Sequence, residues 1–394
     1  MRKKLSLLIA LAVSLSVTTT SFAAAVDNTA ASDTTNVTGI NISDLTLEQA
    51  LNTVEDRSLD LKSMDIKIDA MKKQLSNDKN KATAVDASGK SQSQYQNGTY
   101  AQTMITRDVT PIKDQQNLDD QNNARDEKLN SIKFDLEKQY TNAITAKEQI
   151  DNINKNITDL DEQIKQTQAK IDLGQVTKDT MNTLLVQKSK LLSSITTPYA
   201  QQQQAISNIK KYLNIDSKSN ALNLASAKSS FVKFDDTNIE GKINDAVKND
   251  KSLNSIQKNI DIQRKQVDIQ TKYAYDSLTE PQNSQLTLQD LENQYWNNNS
   301  SLNVSLWKAY YALKNKENTV EAQLINEESA KMSYYKAQES FNNGLINKVD
   351  LDSAELAYNN QKVTTEQNIN DYMITQKQFK YALDGHASTA SSIQ

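Results

Sequence analysis

Residues 143–178 read AITAKEQIDNINKNITDLDEQIKQTQAKIDLGQVTK, and this stretch decides the fold. Apolar or small residues recur along it at alternating spacings of three and four, namely Ala143, Ala146, Ile150, Ile153, Ile157, Leu160, Ile164, Thr167 and Ile171. Such a heptad seam stays dry only when the helix packs along its length against another helix, so the pattern predicts a coiled-coil-like rod. A helix from about residue 117 to 172 would be roughly 80 Å long at 1.5 Å per residue.

The seam ends at a predicted turn around Gly174. Glycine tolerates the left-handed conformation that often ends a helix. A second helix with Leu184, Leu191 and Ile209 is predicted from about Lys178, which makes a long antiparallel hairpin with its tip at residue 174.

The hairpin pattern occurs twice. Gly174, Val176, Lys178, Ile209 and Leu213 match Gly344, Ile346, Lys348, Phe379 and Leu383 at a constant offset, without a gap. Asp56–Leu59 similarly matches Asp250–Leu253 at an offset of 194 residues. These matches predict an internal duplication, with repeat 1 at 43–220 and repeat 2 at 238–385. Each repeat contains a helix, an insert (81–115 or 275–300) and a long hairpin, with the second tip at 344. The first insert has no sustained period and is predicted to be a loop or a poorly formed strand region. The second insert holds Pro281 and the polar run Asn297–Ser300, ahead of the next predicted helix.

The two ends of the chain have their own patterns. A basic start, an apolar run from Leu5 to Val17 and the small-residue site Ser21-Phe22-Ala23 predict a secretory signal peptide at 1–23, removed on export. Residues 24–42 are predicted to be a flexible N-terminus, and the small polar tail 386–394 is expected to fray. Without Arg2, Lys3 and Lys4 the formal net charge goes from −4 to −7, which argues against nucleic acid as a partner.

The composition favours few, long helices over a catalytic domain. The 394 residues include 7 Gly, 3 Pro and no Cys. We predict no catalytic residue, cofactor or metal, because the single histidine, His386, lies on the tail and no phosphate-binding glycine loop or metal-ligand spacing occurs. The scattered carboxylates leave an Asp/Glu catalytic pair open. The tyrosine-rich second half suggests either aromatic filling of helix seams or contact with carbohydrate or membrane.

Specific stretches resemble the TolC-like outer-membrane efflux protein family. Residues 45–51 (LTLEQAL) look like its opening motif, residues 340–351 (SFNNGLINKVDL) look like its hairpin-tip motif, and Leu356, Asn370–Tyr372 and Tyr381–Gly385 fit its closing helix. The resemblance implies an all-α chain of duplicated hairpins that forms part of a hollow cylinder, an α-barrel of three chains. It also implies a periplasmic adaptor of the membrane-fusion type and an inner-membrane transporter as partners, and four short membrane strands per chain.

The resemblance also implies functional residues at the tips. The adaptor would dock on Gly174, Gln175, Val176, Thr177, Gly344, Leu345, Ile346 and Asn347, although turn chemistry alone also explains the two glycines. Asp350 stands where the family has an aspartate lining the narrow entrance; the alternative is an acid that starts a helix.

The inserts depart from the family pattern, since neither shows the alternation typical of membrane strands. We therefore expect at most a small strand region there, and contact with a membrane stays open. Two functions follow: an efflux or export duct subunit, or a secreted envelope spacer or interaction protein that has lost the membrane strands. The signal peptide places either one in the cell envelope. That means the outer membrane in a cell with two membranes, and otherwise the cell wall or the exterior.

Overall fold

The chain is almost wholly helical in the residues that the computed structural model describes, which are 44–96, 99–217, 222–274 and 279–393. Its helices are α1 (Leu47–Arg57), α2 (Leu59–Ala87), α3 (Thr99–Asp108), α4 (Thr110–Asp172), α5 (Lys178–Ser194), α6 (Thr196–Tyr212), α7 (Ile239–Lys248), α8 (Lys251–Tyr273), α9 (Thr279–Asn342) and α10 (Lys348–Leu383), with short 3-10 helices at Gln92–Gln94 and Ala387–Ser392. The predicted all-α fold of duplicated antiparallel hairpins is confirmed. The predicted signal peptide and flexible N-terminus lie outside the described residues.

The two longest described helices, α4 with 63 residues and α9 with 64, are each about 95 Å long. Helix α4 packs against α5 and α6 from about Asp135 onward, and α9 packs against α10. Nearer their N-termini, α4 packs against α2 and α9 packs against α8; for example, Arg264 of α8 donates to Glu292 of α9 at 2.7 Å. Within the described residues, none of these helices is both long and apolar enough to cross a membrane.

Towards the tips the helices form one layer. Helix α6 packs on α4, α4 packs on α10, and α10 packs on α9. This order leaves α5 and α6 at one edge of the layer and α9 at the other. The seam residues show its consequence, because Ile153 and Leu160 are buried while Ile157 and Ile164 are only half-buried.

The duplication is visible in the helix ends. Helices α4 and α9 end, and α5 and α10 begin, at positions 170 residues apart, which is the offset that the glycines have. The N-caps Thr46 and Asn238 are 192 residues apart, as are the N-caps Ser58 and Asp250. The first part of the repeat is therefore shifted by two residues from the offset read in the sequence, because Ser58 shares its capping role with Asp250 and not with Ser252.

The first insert is mainly helical in its described residues, 81–96 and 99–115, so the prediction of a loop or poorly formed strand region over 81–115 is wrong for most of it. It contains the end of α2, the 3-10 turn, α3 and the start of α4. Its apolar residues Met104 and Val109 pack against Ile269 of α8, and the rings of Tyr100 and Tyr273 meet edge to face at 5.0 Å. Short helices can pack through a few apolar residues without a sustained heptad, so the sequence of this region shows no hydrophobic period. In the described residues the β-structure amounts to a single isolated bridge, between Leu45 and Leu224.

The described part of the second insert is also helical, although the sequence set it apart as an insert ahead of the next helix. Helix α9 begins at Thr279, so Pro281 lies in its first turn, where the N–H that proline lacks has no intrahelical acceptor. The polar run Asn297–Asn299 lies on the same helix. An asparagine in a helix costs at most about 0.7 kcal/mol relative to alanine, so this run does not by itself end the helix.

The C-terminal tail is packed, and the predicted fraying is wrong. His386 is only 6% exposed, and Ala387, Ala390 and Ile393 belong to the apolar core where α7, α9 and α10 meet. The buried Asp250 accepts a hydrogen bond from the Ser388 N–H at 3.2 Å. The tail is therefore held by apolar burial and by a backbone contact that a small polar composition does not reveal.

Candidate docking and assembly surfaces

The two hairpin tips have one backbone geometry. Gly174 and Gly344 both have a φ of +70°. Each glycine N–H donates to the carbonyl three residues before it at 2.9 Å, and the next N–H donates to the carbonyl five residues before it at 2.8 Å. This arrangement is the Schellman ending of a helix. A side chain at either glycine would have open space but a strained backbone.

Each tip exposes an apolar residue. Leu173 is 71% exposed beside Gly174, and Leu345 is 75% exposed beside Gly344. Val176 and Ile346 stand next to them and are half-buried. Turn chemistry explains the glycines, but it gives no reason for a leucine in water at the end of a rod. The tips therefore carry an uncovered apolar surface.

The remaining residues differ between the tip of repeat 1 and the tip of repeat 2. Asn347 caps α10, since its Oδ1 accepts a hydrogen bond from the Asp350 N–H at 3.0 Å. Thr177 makes no such side-chain bond at the start of α5. Gln175 and Asp350 are exposed. Asp350 thus occupies the first turn of α10 and faces water, which fits both of the roles considered for it.

An acid that the sequence reading missed, Asp352, lies just below the second tip. It is 6% exposed, accepts a hydrogen bond from Gln163 of α4 at 2.7 Å, and pairs with Lys348 one turn earlier. A second ion pair, Lys155 with Glu355, also joins α4 to α10. These contacts fix the spacing between the two hairpins. The Lys-x-x-x-Asp spacing of residues 348 and 352 was a usable signal for the first pair.

Both edges of the layer carry exposed apolar stripes with heptad spacing. On α5 and α6 the stripe is formed by Leu185, Leu192 and Tyr199, which are exposed, and Ile206, which is half-buried. On α9 it is formed by the exposed residues Val304, Tyr311, Ile325 and Met332, with Asn318 at the missing heptad position. Seven-residue spacing keeps the α9 stripe on one face of its helix. The first stripe continues from α5 into α6 because Ile195, the one residue between them, has helical backbone angles (φ −69°, ψ −21°).

The two stripes match in height above the tips. Leu192 follows Gly174 by 18 residues, and Ile325 precedes Gly344 by 19. The pairs Leu185 with Met332, Tyr199 with Asn318 and Ile206 with Tyr311 show the same one-residue difference. At 1.5 Å per residue, each pair would lie within about 2 Å in height if two copies stood side by side with their tips level.

One face of the layer bears a polar groove of about 520 Å³ between α4, α6 and α10. Its walls are rich in side-chain amides: Gln139, Asn142, Gln201, Gln204, Asn208 and Gln367. Side-chain amides form hydrogen bonds with water but carry no net charge, so they attract neither cations nor anions strongly. This face is therefore suited to remain wet.

The comparisons with known proteins agree with this architecture. No family sequence model and no curated protein matches the chain. Solved structures do match. CusC, a protein that forms a transmembrane channel, has a TM-score of 0.63 at 9% identity, over 86% of this chain and 91% of that chain. The Campylobacter jejuni CmeC outer membrane channel has a TM-score of 0.62 at 12% identity, over 86% of both chains. The open Neisseria gonorrhoeae MtrE outer membrane channel has a TM-score of 0.56 at 12% identity, over 91% and 94%.

These relatives are channels, and the identity is low enough that the likeness concerns the fold. The predicted resemblance is thereby confirmed at that level: the chain has the duplicated-hairpin fold of the TolC-type outer membrane channels.

Proposed function

We propose that the chain is a duct subunit that assembles side by side with copies of itself into a hollow helical cylinder. The observation that carries the proposal is the pair of exposed apolar stripes, one at each edge of the layer and level with each other. A contact between two different edges is heterologous, and such contacts close into a ring when the rotation allows it.

Three copies would enclose a bore wide enough for small molecules or an extended polypeptide. Each chain contributes four rods near the tips, so three chains place twelve rods in the wall. With rod axes about 10 Å apart, the circle through the axes is roughly 38 Å across. Subtracting one helix diameter of about 10 Å leaves a bore near 28 Å. The amide-lined groove supplies a polar face for this wall, so the duct acts as a sheltered path through water and performs no chemistry.

The tips are the docking sites for partners in this proposal. Leu173 and Leu345, with Val176 and Ile346, offer apolar contacts to a periplasmic adaptor that links the duct to an inner-membrane transporter. Apolar residues at the ends of a rod would be covered by such a partner. Asp350 lies close enough to the second tip to line a narrowed entrance. The protein then works in the cell envelope, carrying small molecules or polypeptides outward.

One observation favours the second candidate function, an envelope spacer. The first insert is mainly helical, with Met104 and Val109 packed on Ile269 of α8, and the strands that the resemblance implied do not occur in its described residues. A spacer would use the rod as an interaction surface and need not form a ring.

The test uses the absence of cysteine from the chain. A double variant, Leu192→Cys with Ile325→Cys, places thiols on facing stripes of adjacent copies. Mild oxidation should give dimers and then covalent trimers, with no longer species, because the ring is closed. The control, Leu192→Cys with Asn326→Cys, moves one thiol about 100° around α9. Absence of cross-links in the first variant, or equal cross-linking in both, would support the spacer.

A further inference from the structure

A second large cavity lies between α4, α10 and the C-terminal 3-10 helix. Its volume is about 580 Å³, within the range of small-molecule sites. Glu127, Phe134 and Asp135 of α4, Tyr381 of α10, and Thr389 and Ser392 of the tail line it. The tail thus forms one wall of the cavity.

The aromatic part of the wall is fixed in place. The rings of Phe134 and Tyr381 meet edge to face with centroids 6.0 Å apart. The His386 ring stacks on Tyr381 at 4.0 Å and an interplanar angle of 15°. The Ser388–Asp250 hydrogen bond holds this part of the tail. A ligand would therefore meet rings that are already ordered, which lowers the entropic cost of binding.

Negative charge surrounds these rings. Glu127 lies 3.3 Å from His386 Nδ1, and Asp135 is exposed at the rim. Burial raises the pKa of Tyr381 to about 12, and the Glu127 charge adds to the rise. Lys128, a basic residue of the lining, forms an ion pair with Asp60 at 3.0 Å. The charge available to a ligand is therefore mainly that of carboxylates.

The amide-lined groove provides a comparison. It has nearly the same volume and uses the same helices α4 and α10, but no aromatic ring lines it, and its one carboxylate is Asp371. The combination of rings and acids is a property of the cavity beside the tail and not of the whole face.

We propose that this cavity binds an organic cation with an apolar or aromatic body, of the quaternary ammonium or phosphonium class. Aromatic rings attract a cation through the charge distribution of their π systems, and nearby carboxylates add a Coulomb attraction. The apolar body would be removed from water between the rings and the tail. Because the site lies within one chain, this proposal is independent of ring assembly.

The test is a fluorescence titration of the purified mature chain with ethidium, an aromatic cation that brightens when it leaves water. We expect saturable binding of one ethidium per chain. Glu127→Gln and Tyr381→Leu should each weaken it by about fivefold or more, the size of one cation–π or charge contact. Tyr381→Phe, which keeps the ring, should retain affinity. The matched control Asp371→Asn removes the carboxylate of the other groove and should bind as the wild type does.

Three outcomes would overturn the proposal. They are no saturable binding by the wild type, equal loss in Glu127→Gln and Asp371→Asn, and displacement of ethidium by the anionic dye anilinonaphthalene sulfonate. Circular dichroism of each variant would separate loss of the site from loss of the fold, and the isosteric Glu127→Gln decides if Tyr381→Leu does not fold.

Discussion

The change Ile325→Ala tests the edge stripe quantitatively. Ile325 is 71% exposed in the single chain. The substitution removes three carbons, each worth about 0.8 kcal/mol when fully buried. Scaled by the exposed fraction, the loss is about 1.7 kcal/mol for each contact between neighbouring copies, or about 5 kcal/mol over the three contacts of a closed trimer.

This loss has a measurable size in assembly. It multiplies the dissociation constant of the trimer by about 5,000 and the concentration of half-assembly by the square root of that factor, about 70-fold. Sedimentation velocity across a range of concentrations would measure the shift. The thermal unfolding of the monomer should change little, because surface substitutions usually stay within about 0.5 kcal/mol.

Leu324→Ala is the matched control, because it removes the same number of carbons about 100° around the helix. It should leave the concentration of half-assembly nearly unchanged. An unaltered assembly curve for Ile325→Ala, or an equal shift in both variants, would refute the argument that this stripe joins neighbouring copies.

Three further predictions concern the second tip, Asp114 near the start of α4, and the C-terminal tail. Charges at both positions of the second tip, Leu345→Asp with Ile346→Asp, should preserve helical circular dichroism but abolish pull-down of an adaptor; undiminished pull-down would remove the docking proposal. Burial raises the pKa of Asp114 to about 6, so the folded state binds more protons than the unfolded state between about pH 4 and 6, and stability should fall as the pH rises through this window. Asp114→Asn should flatten that dependence and gain about 1 kcal/mol at pH 7 once solvent screening is allowed for, as measured by urea midpoints; a parallel pH profile would contradict this. Asp250→Ala removes a helix cap and the tail contact, and should cost about 1–2 kcal/mol and open the tail to proteolysis; Ser58→Ala, which removes only a cap, should leave the tail protected.

The sequence was sufficient for the parts of the fold that repeat a simple period. The Ile150–Ile171 seam and the recurrence of Gly174 as Gly344 follow from local rules, so rods, tips and duplication were all predictable. The helical inserts were not, because Met104, Val109 and Ile269 meet only after the chain folds. The local hydrophobic pattern of the sequence cannot show a contact between residues so far apart in the chain.

The tail shows a second limit. Ala387 and Ala390 look like a disordered end by composition, but Asp250, more than a hundred residues away, binds the backbone beside them. A hydrogen bond from a backbone N–H to a side chain far away in the sequence does not depend on the side chains next to that N–H. Sequence reading therefore had no signal for this contact.

The candidate site was predictable in part. The position of the tips followed from the Gly-containing turn, and the structure leaves Leu345 exposed there. Their docking role came from the resemblance alone and stays a prediction. The edge stripes were missed although their heptads, such as Leu185, Leu192 and Tyr199, stand in the sequence. A heptad shows that a face is apolar, but only the structure shows that no helix of the same chain covers it.

In the proposed assembly, copies of this chain stand side by side in a closed ring of three. Light scattering of the purified mature protein, with and without detergent, measures it most directly. A closed ring of three would give three times the mass of the mature chain in at least one of the two conditions, at concentrations above the assembly midpoint. A monomer in both conditions, at every concentration reached, would contradict it.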